Sequence, residues 1–366
     1  MIFVCTTLWH ETFEEMYQLA TSLVRLIRDH AAKKETVDSY DMEIHVFFDN
    51  VFEMVDEKIV LNEFVNCFIK SITKALRLFQ MEDFLKKGSV IVTPYGGRIE
   101  YDILGIQMVI HLKDAKKVKA GKRWSQVMYL YYLIGWKIDT CRAEKNNAPL
   151  VKDKSFILTL DGDVDFHPSS VELCLNRLLR NDDVAACCGR IVPVGSSWLI
   201  WYQRFEYAVG HWLMKSAEHV LGCVLCSPGC FSLYRISFLA KPNVMAKYKS
   251  YAESPMEKLQ FDQGEDRWLC TLILLAGGRI EYESAASCNT FAPEDLETFY
   301  KQRRRWGPST TANIWNLIQQ SYEIRRSNQY VSLLYITYQL LILIFSIIAL
   351  STTLTLVAEG LNLGAL

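Results

Sequence analysis

The sequence has no surplus of charge: 40 Lys and Arg stand against 41 Asp and Glu in 366 residues, a formal net charge of −1. A chain so balanced casts no broad positive field, so no nucleic acid is expected as a partner and any polyanion must be met by a local cluster. Dinucleotide-binding GxGxxG, Walker A, HExxH and GxSxG patterns are all missing, which removes the main support for dehydrogenase, P-loop and serine-hydrolase chemistry. There is no internal repeat and no low-complexity segment. The 11 cysteines are odd in number and follow no disulfide-scaffold spacing. Cys5, Cys67, Cys174, Cys187 and Cys188 sit in apolar surroundings, as reduced cytosolic thiols do. The opening MIFVCTTLWHETFEEM has neither a basic stretch nor a small-residue cleavage site, so it makes a poor secretory signal.

What is present is half hydrophobic, 12% aromatic and 22% charged, which excludes a disordered chain, a collagen-like repeat and a coiled coil. One run stands apart. Residues 331–358, VSLLYITYQLLILIFSIIALSTTLTLVA, carry no charge and exceed the ~20 residues needed to cross a bilayer core. Arg303, Arg304, Arg305, Arg325 and Arg326 precede it and only Glu359 follows, so the excess of positive charge predicts a cytosolic domain over 1–325. A short tail, 359–366, ends the chain, and a fragment of a longer polytopic protein is expected.

Residues 2–8 (IFVCTTL) predict a strand, and Phe13, Met16, Leu19, Leu23 and Leu26 recur at helical spacing after it. EIHVFF predicts a second strand ending at Asp49, with a helix from about Glu57 to Phe84. VIVTP predicts a third strand ending at Gly96 and Gly97, WSQVMYLYYLIGW a helix, and SFILTL an apolar strand stopping at Asp161. Strands alternating with helices predict an α/β fold with a mixed, mostly parallel sheet flanked by helices and active residues at strand C-termini. Residues 196–222 carry Trp198, Trp201, Phe205, Trp212 and Leu213 among Arg204, Lys215 and His219, the pattern of a helix lying at a membrane interface. An aromatic-rich core helix would read the same way.

Asp161-Gly162-Asp163 follows SFILTL. Carboxylates at i and i+2 of an extended end point to one side, and hard oxygens suit Mg²⁺ or Mn²⁺ bridging a diphosphate. Acidic turn residues also occur as mere loop punctuation. Glu265-Asp266-Arg267-Trp268 opens a helical pattern and offers Asp266 as a general base, although acids also favour a first helical turn as caps. In Gln302-Arg303-Arg304-Arg305-Trp306, Gln302 and Trp306 share a helix face. The arginines could neutralise a diphosphate and the indole could hold a pyranose ring; a juxtamembrane lipid anchor is the plainer alternative. Cys223, Cys226 and Cys230, with His211 or His219 nearby, lack the second pair that a structural zinc site needs.

DGDVDF, SPGCFSLYR, GEDRW and QRRRW, in this order, resemble the chitin synthases, membrane-embedded processive glycosyltransferases of the GT-A type, with wording closest to metazoan members. The resemblance runs from about Cys5 to the apolar run. It implies UDP-N-acetylglucosamine as donor, a divalent cation, and inverting β-1,4 transfer to the non-reducing end of a growing chitin chain. Asp163 and Asp161 resemble the metal-binding DxD, Asp161 lying nearer the nucleotide. Asp266, helped by Glu265, resembles the catalytic base. Gln302, Arg305 and Trp306 resemble the acceptor motif, with Arg303 and Arg304 on the donor diphosphate. Gly121-Lys122-Arg123-Trp124-Ser125-Gln126 is similar to a GKRxSQ segment, making Lys122 and Arg123 donor-binding candidates, and Glu11 and Asp49 occupy the usual uridine positions. Solvated surface charge is the alternative for these last four, and Lys113 is a weaker candidate. The resemblance implies a multi-pass protein of the plasma membrane and leaves a homo-oligomer open. Gly307 stands where the family usually has an aliphatic residue and Asn50 replaces a common acid. The further channel helices and an SWGT-type motif are not in the sequence. A hyaluronan-like synthase and a non-catalytic nucleotide-sugar-binding membrane protein are the rival readings. All of them require Asp163, Asp266 and Trp306 to line one cleft.

Overall fold

A computed structural model describes residues 1–33, 40–55, 58–84, 88–138, 140 and 152–363. Its centre is a sheet that has ten strands among the described residues, in the order β5-β6-β7-β2-β1-β8-β11-β10-β12-β9. The strands are β1 (Ile2–Leu8), β2 (Met42–Phe48), β5 (Ser89–Thr93), β6 (Gly96–Ile103), β7 (Ile106–Lys113), β8 (Phe156–Leu160), β9 (Val164–Phe166), β10 (Val184–Val194), β11 (Phe231–Arg235) and β12 (Arg279–Phe291). β3 (Phe52–Val55) and β4 (Lys58–Leu61) form a separate hairpin. The run β7-β2-β1-β8 is parallel, as is the pair β10 and β12, whereas β11 is antiparallel to both its neighbours. The sheet is therefore mixed, with its parallel run at the centre.

Both faces are covered. Helices α1 (Phe13–Lys33), α2 (Glu63–Leu78) and α4 (Pro168–Arg180) bury Leu19, Leu23, Phe68, Leu76 and Leu178 against one face. α3 (Lys122–Leu130) runs on as a π-helical turn over Tyr131–Lys137. It packs on the other face, where the core also holds Trp268 and Leu272 of α7 (Glu265–Leu275), Leu317 of α8 (Leu296–Gln319) and Tyr335 of α9 (Leu333–Leu363). Apolar periodicity explains each placement, because the buried residues of α1 recur every three or four positions.

Two expectations need correction. The helix expected from about Glu57 starts only at Glu63, where Asn62 caps it by accepting from the Val65 amide, and it ends at Leu78. The β3–β4 hairpin takes the preceding apolar residues; Glu57 itself lies outside the described residues. Gly96 and Gly97 do not end a strand but begin β6, which pairs antiparallel with β5 and β7. Pro94 and Tyr95 make the turn, and Gly96, at φ +140°, a backbone that a side chain would strain, leads the chain out of it into β6.

The aromatic segment is helical from Trp198 to Leu221, as α5 (Trp198–Ala208), a π-helical turn and α6 (Lys215–Leu221). Trp198, Trp201, Phe205, Trp212 and Leu213 are all exposed. In α9, residues Leu333–Leu361 are long and apolar enough to cross a membrane. Tyr335, Ile336, Gln339 and Leu343 are buried against the domain, and the far end is exposed. Residues 364–366 of the expected tail lie outside the described residues.

Candidate functional site

Parallel register sets one edge of the sheet. Leu8 pairs with Phe48 and Thr6 with Leu160, so the segments carrying Glu11, Asp49 and Asp161 leave their strands together. A Cβ on Gly162 would lie 2.6 Å from Leu8 Cδ2 and 2.8 Å from Glu11 Cδ, so only glycine lets the Asp161–Asp163 turn sit this close to Glu11. Antiparallel pairing of Phe231 with Leu160 brings the 226–230 loop to the same edge. Asp163 Oδ2 accepts from Thr290 Oγ1 of β12 at 2.8 Å.

The site concentrates negative charge. Burial, reinforced by Asp161, pushes the Asp163 carboxyl up to about 6. Burial likewise raises Glu11 to about 7, against the lowering effect of the Trp9 amide that it accepts. Lys122 answers this charge, with Nζ 2.7 Å from Asp161 Oδ1 and 3.6 Å from Glu265 Oε1. Burial opposes the ammonium charge, but Asp161 and Glu265 outweigh it and hold Lys122 above the ordinary lysine range. One side chain from the GKRWSQ segment thus ties the DGD turn to the GED helix.

At the start of α7, Asp266 Oδ1 accepts from the Arg267 amide at 2.8 Å, and Cys226 Sγ donates to Asp266 Oδ2 at 3.6 Å. α8 reaches this corner because Gly264 has no side chain: a Cβ there would be 2.6 Å from Asn313 Nδ2 and 3.2 Å from Ser309 Cβ. On α8, Arg303 Nη2 lies 2.8 Å from Glu206 Oε2, and the guanidinium carbon stands 4.7 Å from the Trp306 ring centroid and 4.8 Å from that of Phe299. Gln302 and Trp306 are half-buried, with Arg304 and Arg305 exposed. Tyr207 joins the motifs. Burial raises its hydroxyl, and Cys230, Arg303, Glu206 and Asp163 are all near enough to act on it.

Two expected donor residues are buried and held by other side chains. Arg123 is buried, donating through Nε to Asp262 Oδ1 at 2.8 Å and through Nη1 to the Tyr248 and Ser250 carbonyls. It braces the segment leading into Gly264. Asp49 is also buried: its Oδ1 accepts from Lys113 Nζ at 2.8 Å and its Oδ2 from the Gly121 amide. Lys113, whose ammonium also donates to Ser125 Oγ at 2.8 Å, therefore fastens the GKRWSQ segment to the ends of β2 and β7. Sequence reasoning missed Thr290, Glu206 and the role of Cys226. None carries a local signal, since each acts on a residue distant in the chain.

The Asp161 and Asp163 carboxylates are a pair of hard oxygen donors of the kind Mg²⁺ or Mn²⁺ takes. Among the described residues no group of three or more His, Cys, Asp or Glu could hold a metal ion, so the remaining ligands would have to be water or a bound diphosphate. The ten described cysteines are free thiols.

Residues 108–358 match the family described as chitin synthase. The chain is 43% identical over 373 residues to the chitin synthase chs-2 of Caenorhabditis elegans, covering 99% of this chain and 22% of that one. It is 42% identical over 372 residues to the chitin synthase of Meloidogyne artiellia, covering 99% and 20%. The chain thus spans about a fifth of the length of these relatives. Among solved structures, a mannosyltransferase from Pyrobaculum calidifontis in complex with GDP-Man and Mn²⁺ aligns at a TM-score of 0.44 and 11% identity, covering 100% of this chain and 80% of that one.

Proposed function

The chain belongs to the chitin synthase family, and from that premise we propose that it carries the catalytic site of a GT-A type chitin synthase. That site transfers N-acetylglucosamine from UDP-N-acetylglucosamine to the 4-hydroxyl at the non-reducing end of a growing β-1,4 chain, with inversion. The observation that carries this reading is Lys122, whose ammonium bridges Asp161 of the first acidic motif and Glu265 beside Asp266.

Transfer requires a stabilised leaving group, a deprotonated acceptor hydroxyl and both sugars in line. Asp163 and Asp161 would hold Mg²⁺ or Mn²⁺, which supplies neutralising charge to the diphosphate when bound. Lys122, Arg303 and Arg304 add their own positive charge on the donor side. Glu11 and Asp49 line the uridine end, Asp49 from within its pair with Lys113, and Arg123 acts there through the segment it braces. The acceptor oxygen attacks the anomeric carbon, the bond from that carbon to the diphosphate breaks, and UDP leaves with the electron pair. Asp266 takes the hydroxyl proton, and Glu265 with Lys122 sets the charge around it. Trp306 holds the acceptor ring, with Gln302 and Arg305 beside it. In the membrane, α9 crosses the bilayer, the exposed aromatic face of α5 and α6 lies at its surface, and the catalytic domain faces the cytosol.

Incubating membranes that carry the protein with labelled UDP-N-acetylglucosamine and Mg²⁺ tests this. Insoluble product that chitinase digests is expected. Product that forms only when UDP-glucuronate is added would favour a hyaluronan-like synthase, and UDP binding without turnover would favour a non-catalytic binder. Asp266→Asn is expected to abolish transfer while UDP binding stays near wild type; wild-type turnover in that variant would remove Asp266 as the base.

A further inference from the structure

Asp266 receives a hydrogen bond from a thiol as well as from its own helix. Cys226 lies in the loop between α6 and β11, and its Sγ is 3.6 Å from Asp266 Oδ2. The carboxylate is thus held at both oxygens, Oδ1 by the Arg267 amide and Oδ2 by the thiol. Burial, with Asp266 adding to it against Arg267, pushes the Cys226 thiol up to about 12, so the sulfur keeps its proton at neutral pH and can donate.

The loop is fixed on both sides of Cys226. Leu225 donates its amide to Glu218 Oε2 at 3.1 Å. Ser227 donates its amide to Cys270 Sγ at 3.2 Å and its hydroxyl to Ser232 Oγ at 2.8 Å, and its carbonyl accepts from Tyr234 Oη at 3.2 Å. Glu218 is itself anchored, because its Oε1 accepts from Gln339 Nε2 of α9 at 2.8 Å. Gln339 is 1% exposed, so this amide on the apolar helix is turned into the domain. A continuous strap therefore runs from α9 through Glu218 and the loop to Asp266.

We propose that Cys226 is a positioning residue for the transfer reaction, its thiol proton aiming the Asp266 carboxylate at the acceptor hydroxyl while the Gln339–Glu218 strap holds the thiol in place. The inference rests on Asp266 as the base. The thiol does not touch substrate and acts only through the carboxylate. A carboxylate free to rotate would meet the acceptor hydroxyl less often in line, a loss in turnover and not in donor binding.

The experiment measures transfer, UDP affinity and melting temperature in membranes carrying Cys226→Ala, Cys226→Ser, Asp266→Asn, Gln339→Leu and the Cys226→Ala/Gln339→Leu pair. Asp266→Asn decides the underlying reading: if it keeps turnover, the base assignment fails and this inference with it. With Asp266→Asn inactive, Cys226→Ala is expected to lower kcat about tenfold, the scale of one hydrogen bond to a charged group, with donor KM, UDP affinity and melting temperature unchanged. Cys226→Ser keeps a donor and is expected to recover most of kcat. Gln339→Leu is expected to cost about threefold alone and nothing further in the Cys226→Ala background. Wild-type kcat in Cys226→Ala, equal losses in the Ala and Ser variants, or weakened UDP binding in either would overturn the thiol's role. Additive losses in the double variant would overturn the strap.

Discussion

Lys113 has no solvent exposure, yet it is an amine placed at the end of a strand among apolar neighbours. Burial lowers its pKa, and the Asp49 carboxylate at 2.8 Å opposes that effect and keeps the pair together. Removing one partner of a buried pair strands the other charge, which costs more than the pair contributes intact. Lys113→Met is therefore expected to destabilise the protein by about 3 kcal/mol, and by loosening the Gly121 end of the GKRWSQ segment it should also raise the donor KM. Denaturant melts and donor titration check both. The sequence pointed only weakly at Lys113, because its partners Asp49 and Ser125 come from β2 and α3 and no spacing rule links three such positions. Asp161, Asp163, Glu265 and Asp266 were easier to find. Their motifs are contiguous, since one turn or one helix start must present several groups at once.

The elements were legible where their hydrophobic period was unbroken. β1 spans Ile2–Leu8 and α7 opens at Glu265, as periodicity and capping predicted. β5 (Ser89–Thr93) matches the strand expected at VIVTP, whereas the β3–β4 hairpin and strands β6 and β7 were not read from the sequence. β3 and β4 have only four residues each, too few to show a period. β6 alternates Arg98, Glu100 and Asp102 with Ile99, Tyr101 and Ile103, and β7 is an almost wholly buried run, but with Gly96 and Gly97 read as a strand end both were passed over. The turn after β8 carries a sharper requirement. Ala at position 162 would press into Leu8 and the Glu11 carboxylate, and overpacking of this kind costs about 2 kcal/mol. Gly162→Ala should lower the melting temperature and weaken UDP binding together, whereas Gly210→Ala, with nothing within 4 Å of its Cβ, should leave UDP binding unchanged. In α8, Pro308 removes an amide from the helix interior one turn after Arg304. The Arg304 carbonyl thereby loses its usual donor within the motif that places Trp306.

At the scale of the molecule, three buried histidines make stability depend on pH. Burial lowers His45, and the Glu43 hydrogen bond opposes it only in part; burial also takes His111 well below the usual range and His211 down to about 2. His45 Nδ1 and His111 Nε2 are 3.1 Å apart, and His211 Nε2 accepts from the Ile191 amide. In the unfolded chain these rings take up protons near pH 6.5, while in the folded protein they stay neutral, so acidification favours unfolding. Each is expected to remove up to about 1.4 kcal/mol per pH unit below about pH 6.5. Glu11 and Asp163, raised to about 7 and about 6, take up protons first in the folded state and oppose this between pH 7 and 5, so the histidine share is read by comparison. From pH 7 to 5 the melting temperature of His111→Phe should change in the stabilising direction relative to wild type, and an identical slope would show that His111 does not carry its share. Composition, the apolar run and the ordered motifs were enough to predict the class of fold, a helix long and apolar enough to cross a membrane, and the family, because each depends on residues close together in the chain. The partners of those residues came only from packing. Register placed Glu11 against Gly162, an antiparallel strand brought Cys226 to Asp266, and Gln339 turned inward from an otherwise apolar helix to reach Glu218. Contacts between distant segments depend on how the sheet orders its strands, and no local pattern of residues encodes that order.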